Sequence, residues 1–558
     1  MTRRDAATER QVQAADPQMS TWLSANAGSG KTRVLTDRVA RLLLDGVTPQ
    51  HILCLTYTKA AASEMQNRLF NRLGEWAMLP SDRLEQQLHE LGLDRSIGKT
   101  ELRRARTLFA RAIETPGGLK IQTIHSFCAS ILRRFPLEAG VSPQFIEMDD
   151  RAAKQLRNDI VEEMAAGDKV DAVDALVAYF TDGDLSMLTE EIVKNSASLP
   201  AEKEDIWKLF EIGPDVTPQS ILSSFAPYDM PALFKALLPA LKDGSSNDVK
   251  AYEKLKPLDP SNIRYDDLEV LESVFLYGKS AAHPFGAKTG MFPTKPTQAK
   301  LGTMQDRLND LLLHTERAHK LRISLYSAEK TWALHRFAAE FLPIYNERKL
   351  LRGWLDFDDL INVTARLLGN PLVAQWVLYR LDGGIEHILV DEAQDTSPRQ
   401  WQVIERLTQE FSAGEGAHKD RQRTIFVVGD KKQSIYSFQG ADPDEFDRMC
   451  AFFERKLNDA GQSLQPLELE YSFRSAEPIL RLVDSTFRHR ANQGVGEVRH
   501  KTNQLDLPGR VDLWPVVEKT ETTEDKEWFD PQDMVARNHE TVILARQIAQ
   551  TIHDMCHD

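Results

Sequence analysis

The sequence contains few cysteines and no long apolar run, and each shortage excludes a class of protein. Four cysteines occur, all far apart and none in a CxxC pair: Cys54, Cys128, Cys450 and Cys556. Their spacing argues against a zinc or iron–sulfur site built within this chain and favours a reducing, cytoplasmic compartment. No apolar run is long enough to span a bilayer, and the first residues lack the apolar core of a signal peptide.

Positive charge is also scarce. The chain has 69 Lys and Arg against 83 Asp and Glu, which gives a formal net charge of −14. Because attraction to phosphates depends on nearby charge, any DNA contact must come from a local groove. With 558 residues, 42% hydrophobic and 27% charged, the chain is typical of a soluble protein with several globular domains.

One stretch has the pattern of a phosphate-binding loop: Ala25-Asn26-Ala27-Gly28-Ser29-Gly30-Lys31-Thr32. An apolar run before it predicts a buried strand, and an amphipathic pattern after it, closed by Gly46, predicts a helix. Backbone N–H groups at such a helix N-terminus can hold phosphates, while Lys31 reaches the outer phosphates and the Thr32 hydroxyl binds magnesium. Ala25 replaces the usual first glycine, which is compatible with a negative φ there. The alternative is a glycine-rich turn that ends in Lys-Thr by coincidence.

Hydrophobic periodicity predicts an α/β fold with a helical insertion. From about residue 150 to 335, strand signals fade, and amphipathic helices punctuated by prolines predict a mostly helical domain. A third block follows, with predicted strands at residues 467–470 and 510–514. The other apolar runs predict parallel strands buried on both faces of a sheet; they lie at residues 21–24, 52–56, 120–123, 388–391 and 424–429.

Within the helical insertion, residues 283–296 form a stretch rich in glycine and proline. It carries Lys288 and Lys295 beside Phe285 and Phe292, and aromatic and basic side chains together can hold single strands. The same composition is typical of an ordered surface loop, which is the favoured interpretation.

Two adjacent carboxylates, Asp391 and Glu392, follow the apolar run at residues 388–390. At the end of a strand, one carboxylate can hold magnesium while the other orients or deprotonates an attacking water. The pair therefore indicates nucleotide hydrolysis in a chain that also has a phosphate loop. The alternative is an exposed acidic strand end.

Further polar and aromatic residues follow the strand pattern at residues 424–429. Gln433 can reach the same strand-end crevice, where its amide suits sensing of a γ-phosphate or a water. Tyr436 and Phe438 are two positions apart and either stack on bases or pack in the core.

Two other residues extend the candidate nucleotide site. Arg474, just after the strand pattern of the third block, would couple hydrolysis to closure of a cleft if it reached the γ-phosphate. Otherwise it is a surface arginine. Gln11, upstream of the loop, can hydrogen-bond an adenine edge through both groups of its amide.

Together these stretches resemble superfamily 1 DNA helicases of the UvrD/Rep type. The order and spacing of the segments make the resemblance specific, and it covers nearly the whole chain. The segments are residues 9–11 (Q motif), 25–32 (motif I), 55–65 (Ia), 122–127 (Ic), 356–360 (preceding motif II), 391–394 (II), 429–442 (III) and 471–475 (IV). Residues 123–128 and 132–140 are most similar to the AddA subunits of bacterial AddAB helicase–nucleases, within the AddA/RecB group.

The resemblance implies RecA-like P-loop NTPase motor lobes with parallel sheets. The expected boundaries are 1–149 and 336–447 for the ATP-binding lobe, 150–335 for the helical insertion, and 448–558 for an incomplete second lobe. Motifs V and VI, a second insertion and a nuclease domain are not matched, so we expect the N-terminal part of a longer protein. We also expect residues 1–558 alone to bind nucleotide but to unwind DNA poorly.

The resemblance also implies ATP- and Mg²⁺-dependent 3′-to-5′ translocation on single-stranded DNA in double-strand break repair, with an AddB-like partner subunit. Carried over by motif, Gln11 would contact adenine, Lys31 the β/γ-phosphates, and Thr32 and Asp391 magnesium. Glu392 would act as catalytic base, Gln433 as γ-phosphate sensor and Arg474 as arginine finger. The residues expected along the DNA path are Tyr57, Thr58, His125, Tyr436 and Phe438.

Two positions depart from the family pattern. Ala60 stands where motif Ia commonly has Lys, with Lys59 one position earlier, and Gln439 stands where motif III commonly has Arg. Two other functions stay open at this point. One is a stand-alone UvrD-like repair helicase without a nuclease, and the other is a non-catalytic, helicase-like scaffold that binds DNA or a partner.

Overall fold

The structure, a computed structural model, describes most of the chain in two compact units. One unit combines residues up to 131 with those from 363 onward, and the other spans residues 132–362. The described residues are 5–93, 97–115, 118–180, 185–225, 228–374, 376–377, 380, 385–411, 422–437, 440–488, 500–504, 506–519 and 539–557. No helix among them combines the length and apolar character that crossing a bilayer requires.

The strands confirm the predicted α/β class. Their bounds are Ser20–Ala25 (β1), Ile52–Thr56 (β2), Lys120–Thr123 (β3), Ile146–Glu147 (β4), Trp354–Leu355 (β5), His387–Val390 (β6), Thr424–Gly429 (β7), Leu464–Leu469 (β8), Tyr471–Ser472 (β9) and Lys501–Thr502 (β10). Six of them form one parallel sheet in the order β3-β2-β6-β7-β1-β8.

The central strands form because their residues are apolar on both faces. Every residue of β2, β6 and β7 is buried, as is all of β1 except Ser24. Since all six strands are parallel, their carboxyl ends share one edge of the sheet, and ligands of such sheets bind outside that edge. The loops after β1, β6 and β7 therefore meet there, because β7 lies between β6 and β1.

The helices account for most of the remaining described residues. They are Ala6–Ala14 (α1), Lys31–Leu44 (α2), Lys59–Met78 (α3), Ser81–Glu90 (α4), Lys99–Glu114 (α5), Ile124–Arg134 (α6), Pro136–Ala139 (α7), Asp150–Ala166 (α8), Val170–Val177 (α9), Leu185–Lys194 (α10), Lys203–Leu209 (α11), Pro218–Ser223 (α12), Met230–Lys242 (α13), Ser246–Leu255 (α14), Asp267–Phe275 (α15), Lys295–Leu301 (α16), Met304–Arg352 (α17), Phe357–Gly369 (α18), Pro398–Leu407 (α19), Pro443–Asp459 (α20), Glu477–Phe487 (α21) and Glu540–His557 (α22).

The predicted third block needs two corrections. The strand expected at residues 467–470 is β8, which pairs with β1 along its whole length and so belongs to the sheet of the phosphate loop. A boundary at residue 447 would divide that sheet. Pro466 within β8 is tolerated because β8 is an edge strand. Residues 510–514 form no strand, since Leu513 is 98% exposed and the segment has no pairing partner among the described residues.

The helical unit is built around α17, which is 49 residues long. Its first half packs on α13 and α15 through a cluster that includes Leu308, Leu311 and Leu312. Its second half packs on α8 and α9 through Phe337 and Phe341. The predicted helical insertion is therefore observed, and the compact unit extends beyond both of its expected ends at 150 and 335.

The loop at residues 283–296 packs against its own unit. Lys288 Nζ donates to the Val274 carbonyl at 2.6 Å, Phe292 is buried, and the Phe285 ring stacks on His319. Three of the four residues considered for single-strand binding are thus engaged within the fold. The favoured interpretation of an ordered loop fits these contacts.

Candidate nucleotide and DNA site

The predicted phosphate loop connects β1 to α2. Ala25 ends β1 and is not among the described residues with positive φ, as its replacement of glycine requires. Gly28 and Gly30 have φ of 75° and 90°, a region that favours glycine. Gly30 caps α2 without a side-chain hydrogen bond. Within the described residues, the N–H groups of Gly28, Gly30 and Lys31 have no acceptor, which leaves them available to an anion.

Gln11 contacts this loop directly. Its amide is 2% exposed, and its Nε2 donates to the Ser29 carbonyl at 2.8 Å. A Cβ at Gly30 would lie 2.6 Å from that Nε2, so the loop and the amide fit closely. The Gln11 Oε1 atom is buried without a hydrogen-bond partner among the described residues. A buried, unpaired acceptor is costly unless a ligand donor satisfies it.

The two acidic residues after β6 face the loop. Lys31 Nζ lies 3.0 Å from Glu392 Oε2, and both side chains are partly shielded from solvent. Glu392 has φ 50°, an uncommon conformation for a residue with a side chain and one that recurs at functional sites. Burial, and then the neighbouring Glu392, raise the pKa of Asp391 to about 7, against the opposing effect of Lys31. A bound cation would favour its ionised form.

Gln394 joins the acidic residues to the loop after β7. Its Nε2 donates to Glu392 Oε2 at 2.8 Å, and its Oε1 accepts from the Asp430 backbone N–H at 2.9 Å. A Cβ at Gly429 would lie 2.8 Å from that Oε1, so a glycine is needed at this close approach. Gln394 thus holds the Glu392 side chain in a fixed relation to β7.

Gln433 lies in a short 3₁₀ turn, Lys431–Gln433, directly after β7. Its Nε2 donates to Asp430 Oδ2 at 2.6 Å, so the amide is held at the strand end. The preceding residue, Lys432, donates from Nζ to Asn26 Oδ1 of the phosphate loop at 2.8 Å. The loops after β1 and β7 are therefore bridged by side chains.

Arg474 lies beside the same loop. The Phe473 N–H donates to the Gly28 carbonyl at 2.8 Å, and a Cβ at Gly28 would come 2.7 Å from Arg474 Cβ. The Arg474 side chain is exposed, and its guanidinium makes no hydrogen bond or ion pair with described residues. The structure thus brings this arginine to the phosphate loop but assigns its charge no partner within the described part of the protein.

The residues present fit a nucleoside triphosphate and magnesium. The cradle at Gly28 and Gly30 admits no side chain, and the orphaned Gln11 Oε1 can accept from an adenine amino group. The Thr32 hydroxyl in the first turn of α2 and the Asp391 carboxylate are hard oxygen donors of the kind that Mg²⁺ prefers.

The residues expected along the DNA path follow β2, β3 and β7. The Tyr57 and Tyr436 rings lie 4.5 Å apart, so segments far apart in sequence form one aromatic pair. Burial, and then Asp395 and Tyr436, raise the pKa of Tyr57 to about 12, so its hydroxyl stays protonated. Thr58 caps α3 by accepting from the Ala61 N–H, and His125 lies in the first turn of α6. Phe438 and Gln439 lie outside the described residues.

A family model described as the UvrD/REP helicase N-terminal domain matches residues 6–454. The chain belongs to the UvrD/Rep helicase family. The match begins in α1, which carries Gln11, and ends in α20, so it includes the phosphate loop, the acidic pair and Gln433.

Curated relatives of this UvrD/Rep chain share one name, that of an ATP-dependent helicase/nuclease subunit. The protein of Anoxybacillus flavithermus is 26% identical over 95% of this chain and 45% of its own length. That of Enterococcus faecalis is 26% identical over 88% and 39%, and that of Desulforudis audaxviator 27% identical over 86% and 39%. The chain thus spans less than half the length of these relatives.

Two functional contacts of the UvrD/Rep site were missed by sequence reasoning, those of Gln394 and Lys432. Both lie inside the stretches matched as motifs II and III, so position alone could have drawn attention to them. The motif before β6 proves to have a structural contact: Asp356 and Asp359 of the helical unit both accept from the buried Lys349 Nζ, at 2.7 and 2.6 Å.

Proposed function

We propose that this chain is the ATP-dependent motor of a DNA helicase–nuclease that acts in double-strand break repair. One observation carries the proposal: Lys31, Asp391, Glu392 and Gln433 follow neighbouring strands at one sheet edge, with Lys31 and Glu392 in direct contact. Phosphate cradle, carboxylate pair and amide are the parts that phosphoryl transfer to water requires. The family match and the relatives' names support the DNA-directed part of the proposal.

Each residue has a separate task in the proposed hydrolysis. The loop N–H groups and Lys31 hold the phosphates, while Gln11 accepts from the base. Glu392 orients and deprotonates the attacking water, and Gln394 and the ion pair with Lys31 position it beforehand. Magnesium, held by Thr32 and Asp391, would neutralise charge on the transferred phosphoryl group. Gln433 and Arg474 would sense and stabilise the γ-phosphate.

Movement along DNA needs the nucleotide site to change the DNA site. Tyr436 lies three residues after Gln433 and contacts Tyr57, so one short segment links the proposed γ-phosphate sensor to an aromatic pair. Aromatic rings stack on bases with little dependence on sequence. We therefore propose that Tyr57, Thr58, His125, Tyr436 and Phe438 follow the single strand.

The affinity of the chain for labelled oligo(dT) in three states tests the coupling: without nucleotide, with Mg–AMP-PNP and with Mg–ADP. A motor requires DNA affinity to depend on the nucleotide, by roughly 5-fold or more. Tyr436→Ala should weaken oligo(dT) binding, because stacking contributes about 1–3 kcal/mol per base. Tyr326→Ala is the matched control, since it removes one ring of an exposed aromatic pair in the helical unit. Equal affinity in all three states would contradict a motor and favour a scaffold.

Direction and partner require the protein as its own cells assemble it. We propose 3′-to-5′ translocation, a cytoplasmic location and an AddB-like second subunit. The protein isolated with its accompanying chains should displace streptavidin from the 5′ end of a biotinylated oligonucleotide when ATP is present. Displacement from the 3′ end alone would contradict the direction, and isolation as a single chain would contradict the second subunit.

A further inference from the structure

Two consecutive lysines follow β7, and their surroundings differ. Lys431 Nζ lies 3.1 Å from Asp444 Oδ1 and 2.6 Å from Asp447 Oδ2, both on α20. Lys432 lies within ion-pair distance of no carboxylate among the described residues, and its Nζ donates to Asn26 Oδ1 at 2.8 Å. The charge of Lys431 is thus neutralised, whereas that of Lys432 is directed at the phosphate loop without neutralisation.

Asn26 is a fixed point in that loop. It is 3% exposed, its N–H donates to the Leu469 carbonyl and its own carbonyl accepts from the Ser29 N–H. It directly follows β1, and β1 pairs with β7, with Ser24 opposite Gly429. Lys432 therefore reaches from one strand end to its neighbour, across the crevice in which the proposed polyphosphate would lie.

The turn that carries Lys432 is itself held in place. The Asp430 carboxylate accepts from the Lys432 N–H at 3.1 Å through Oδ1 and from Gln433 Nε2 at 2.6 Å through Oδ2. Lys432 and Gln433 thus share one anchored turn. A cation adjacent to the proposed γ-phosphate sensor is positioned for the outer end of a triphosphate.

The present partner of Lys432 is a weak one. A neutral amide oxygen attracts an ammonium group less than a phosphate oxygen does, and charge-assisted hydrogen bonds are about twice as strong as neutral ones. Lys31 must leave a carboxylate, Glu392, to bind phosphate, but Lys432 has to leave only the amide of Asn26. Exchange of that amide for a phosphate is therefore favourable.

We propose that Lys432 is a further nucleotide-binding residue, which recognises the terminal phosphate of a nucleoside triphosphate by exchanging Asn26 Oδ1 for a phosphate oxygen. The proposal rests on the ATP site proposed above. It makes Asn26 the resting partner of Lys432 whenever the terminal phosphate is absent, as in the diphosphate state. Lys432 then distinguishes the two nucleotides.

Calorimetric titration with Mg–AMP-PNP and with Mg–ADP tests this role in the wild type, Lys432→Ala and Lys431→Ala. Loss of one charge-assisted hydrogen bond should raise the Kd of Lys432→Ala for AMP-PNP roughly 10- to 100-fold. Its Kd for ADP should change less than about 3-fold, because the terminal phosphate is missing. Lys431→Ala should leave both affinities as in the wild type, and Lys432→Arg should restore most of the preference for AMP-PNP.

Three results would overturn the proposal. Unchanged AMP-PNP affinity in Lys432→Ala would exclude the contact, and equal weakening of both nucleotides would show that Lys432 only braces the loop. Equal weakening of AMP-PNP by Lys431→Ala would show a general effect of charge. In each case the wild type still binds both nucleotides, so the ATP site itself stands. Failure of the wild type to bind either nucleotide would overturn the ATP site and this proposal with it.

Discussion

Lys31 Nζ lies 3.0 Å from Glu392 Oε2, so the cation of the phosphate loop forms an ion pair with the proposed catalytic base. The two residues are 361 positions apart in sequence. While the pair persists, Lys31 is not free for phosphates and Glu392 is not free for water. Nucleotide binding must therefore separate them, which would make the base available only when a substrate is present.

Replacing the base should separate binding from hydrolysis. Glu392→Gln should lower single-turnover ATP hydrolysis about 10²- to 10⁴-fold, the usual contribution of a general base. Nucleotide affinity should stay the same or rise about 2- to 5-fold, because Lys31 no longer leaves a partly exposed ion pair. Glu253→Gln on α14, exposed in the other unit, serves as control. Hydrolysis within about 3-fold of the wild-type rate would contradict the role of Glu392.

The contact between Gly28 and the Arg474 segment should be visible in stability. Gly28→Ala would place a Cβ 2.7 Å from Arg474 Cβ and 2.9 Å from Ser472 Oγ. Gly46 has φ 97°, and no atom lies within 4 Å of the position that a Cβ would take there. Gly46→Ala therefore costs only the left-handed strain of about 1–2 kcal/mol. We expect chemical denaturation to show a larger loss for Gly28→Ala. Equal losses would mean that the Arg474 segment does not pack on the loop.

Gln11 should decide the preference for adenine. Gln11→Ala removes the unpaired Oε1 acceptor and should weaken ATP binding about 3- to 10-fold, the contribution of one or two neutral hydrogen bonds. UTP affinity should fall less, so the ratio of the two dissociation constants approaches one. Gln13→Ala, on the exposed face of the same helix, is the control. An unchanged ratio in Gln11→Ala would exclude the adenine contact.

His387 should make the sheet unit sensitive to acid. Burial, and then Arg38 and His51, lower its pKa to about 3, whereas an unfolded histidine titrates near 6.5. Below about pH 6.5 the unfolded chain takes up a proton that the folded chain does not, so this contribution to the free energy of unfolding is complete above that pH and is lost on acidification.

Between pH 7.5 and 5.5, His387 should therefore cost the wild type about 1 kcal/mol of unfolding free energy. His387→Gln, which can still bond Thr424 Oγ1, should show a correspondingly smaller decrease. The opposite contribution of Asp391, whose pKa is raised, is common to both proteins and cancels in the difference. Identical decreases in wild type and His387→Gln would contradict this account, and exposed His283→Gln should behave as wild type.

The sequence was most informative where local pattern and burial coincide. Buried apolar runs predicted β1, β2, β3, β6 and β7, because strands covered on both faces leave a continuous apolar signature. Gly28 and Gly30 predicted the cradle, because the loop needs positive φ at both. The placement of β8 was not predictable in this way, since an edge strand has a mixed pattern and its partner lies more than 400 residues earlier.

The contacts that organise the site depend on long-range packing. The amide of Gln394, the resting partner of Lys432 and the pairing of Tyr57 with Tyr436 each join loops from different strands. Composition and spacing carry no signal for which atoms meet across such loops. Residues 510–514 failed as a strand for the same reason, because an alternating pattern does not supply a neighbouring strand to pair with.

The central claim is a magnesium–nucleoside triphosphate site built on Lys31 and Asp391. Calorimetric titration of Mg–AMP-PNP into the wild-type chain and into Lys31→Ala tests it most directly, with thermal unfolding as a check on folding. We predict magnesium-dependent binding by the wild type that Lys31→Ala weakens about 10-fold or more. Binding that is equally tight in a folded Lys31→Ala protein, or that needs no magnesium, would contradict the account.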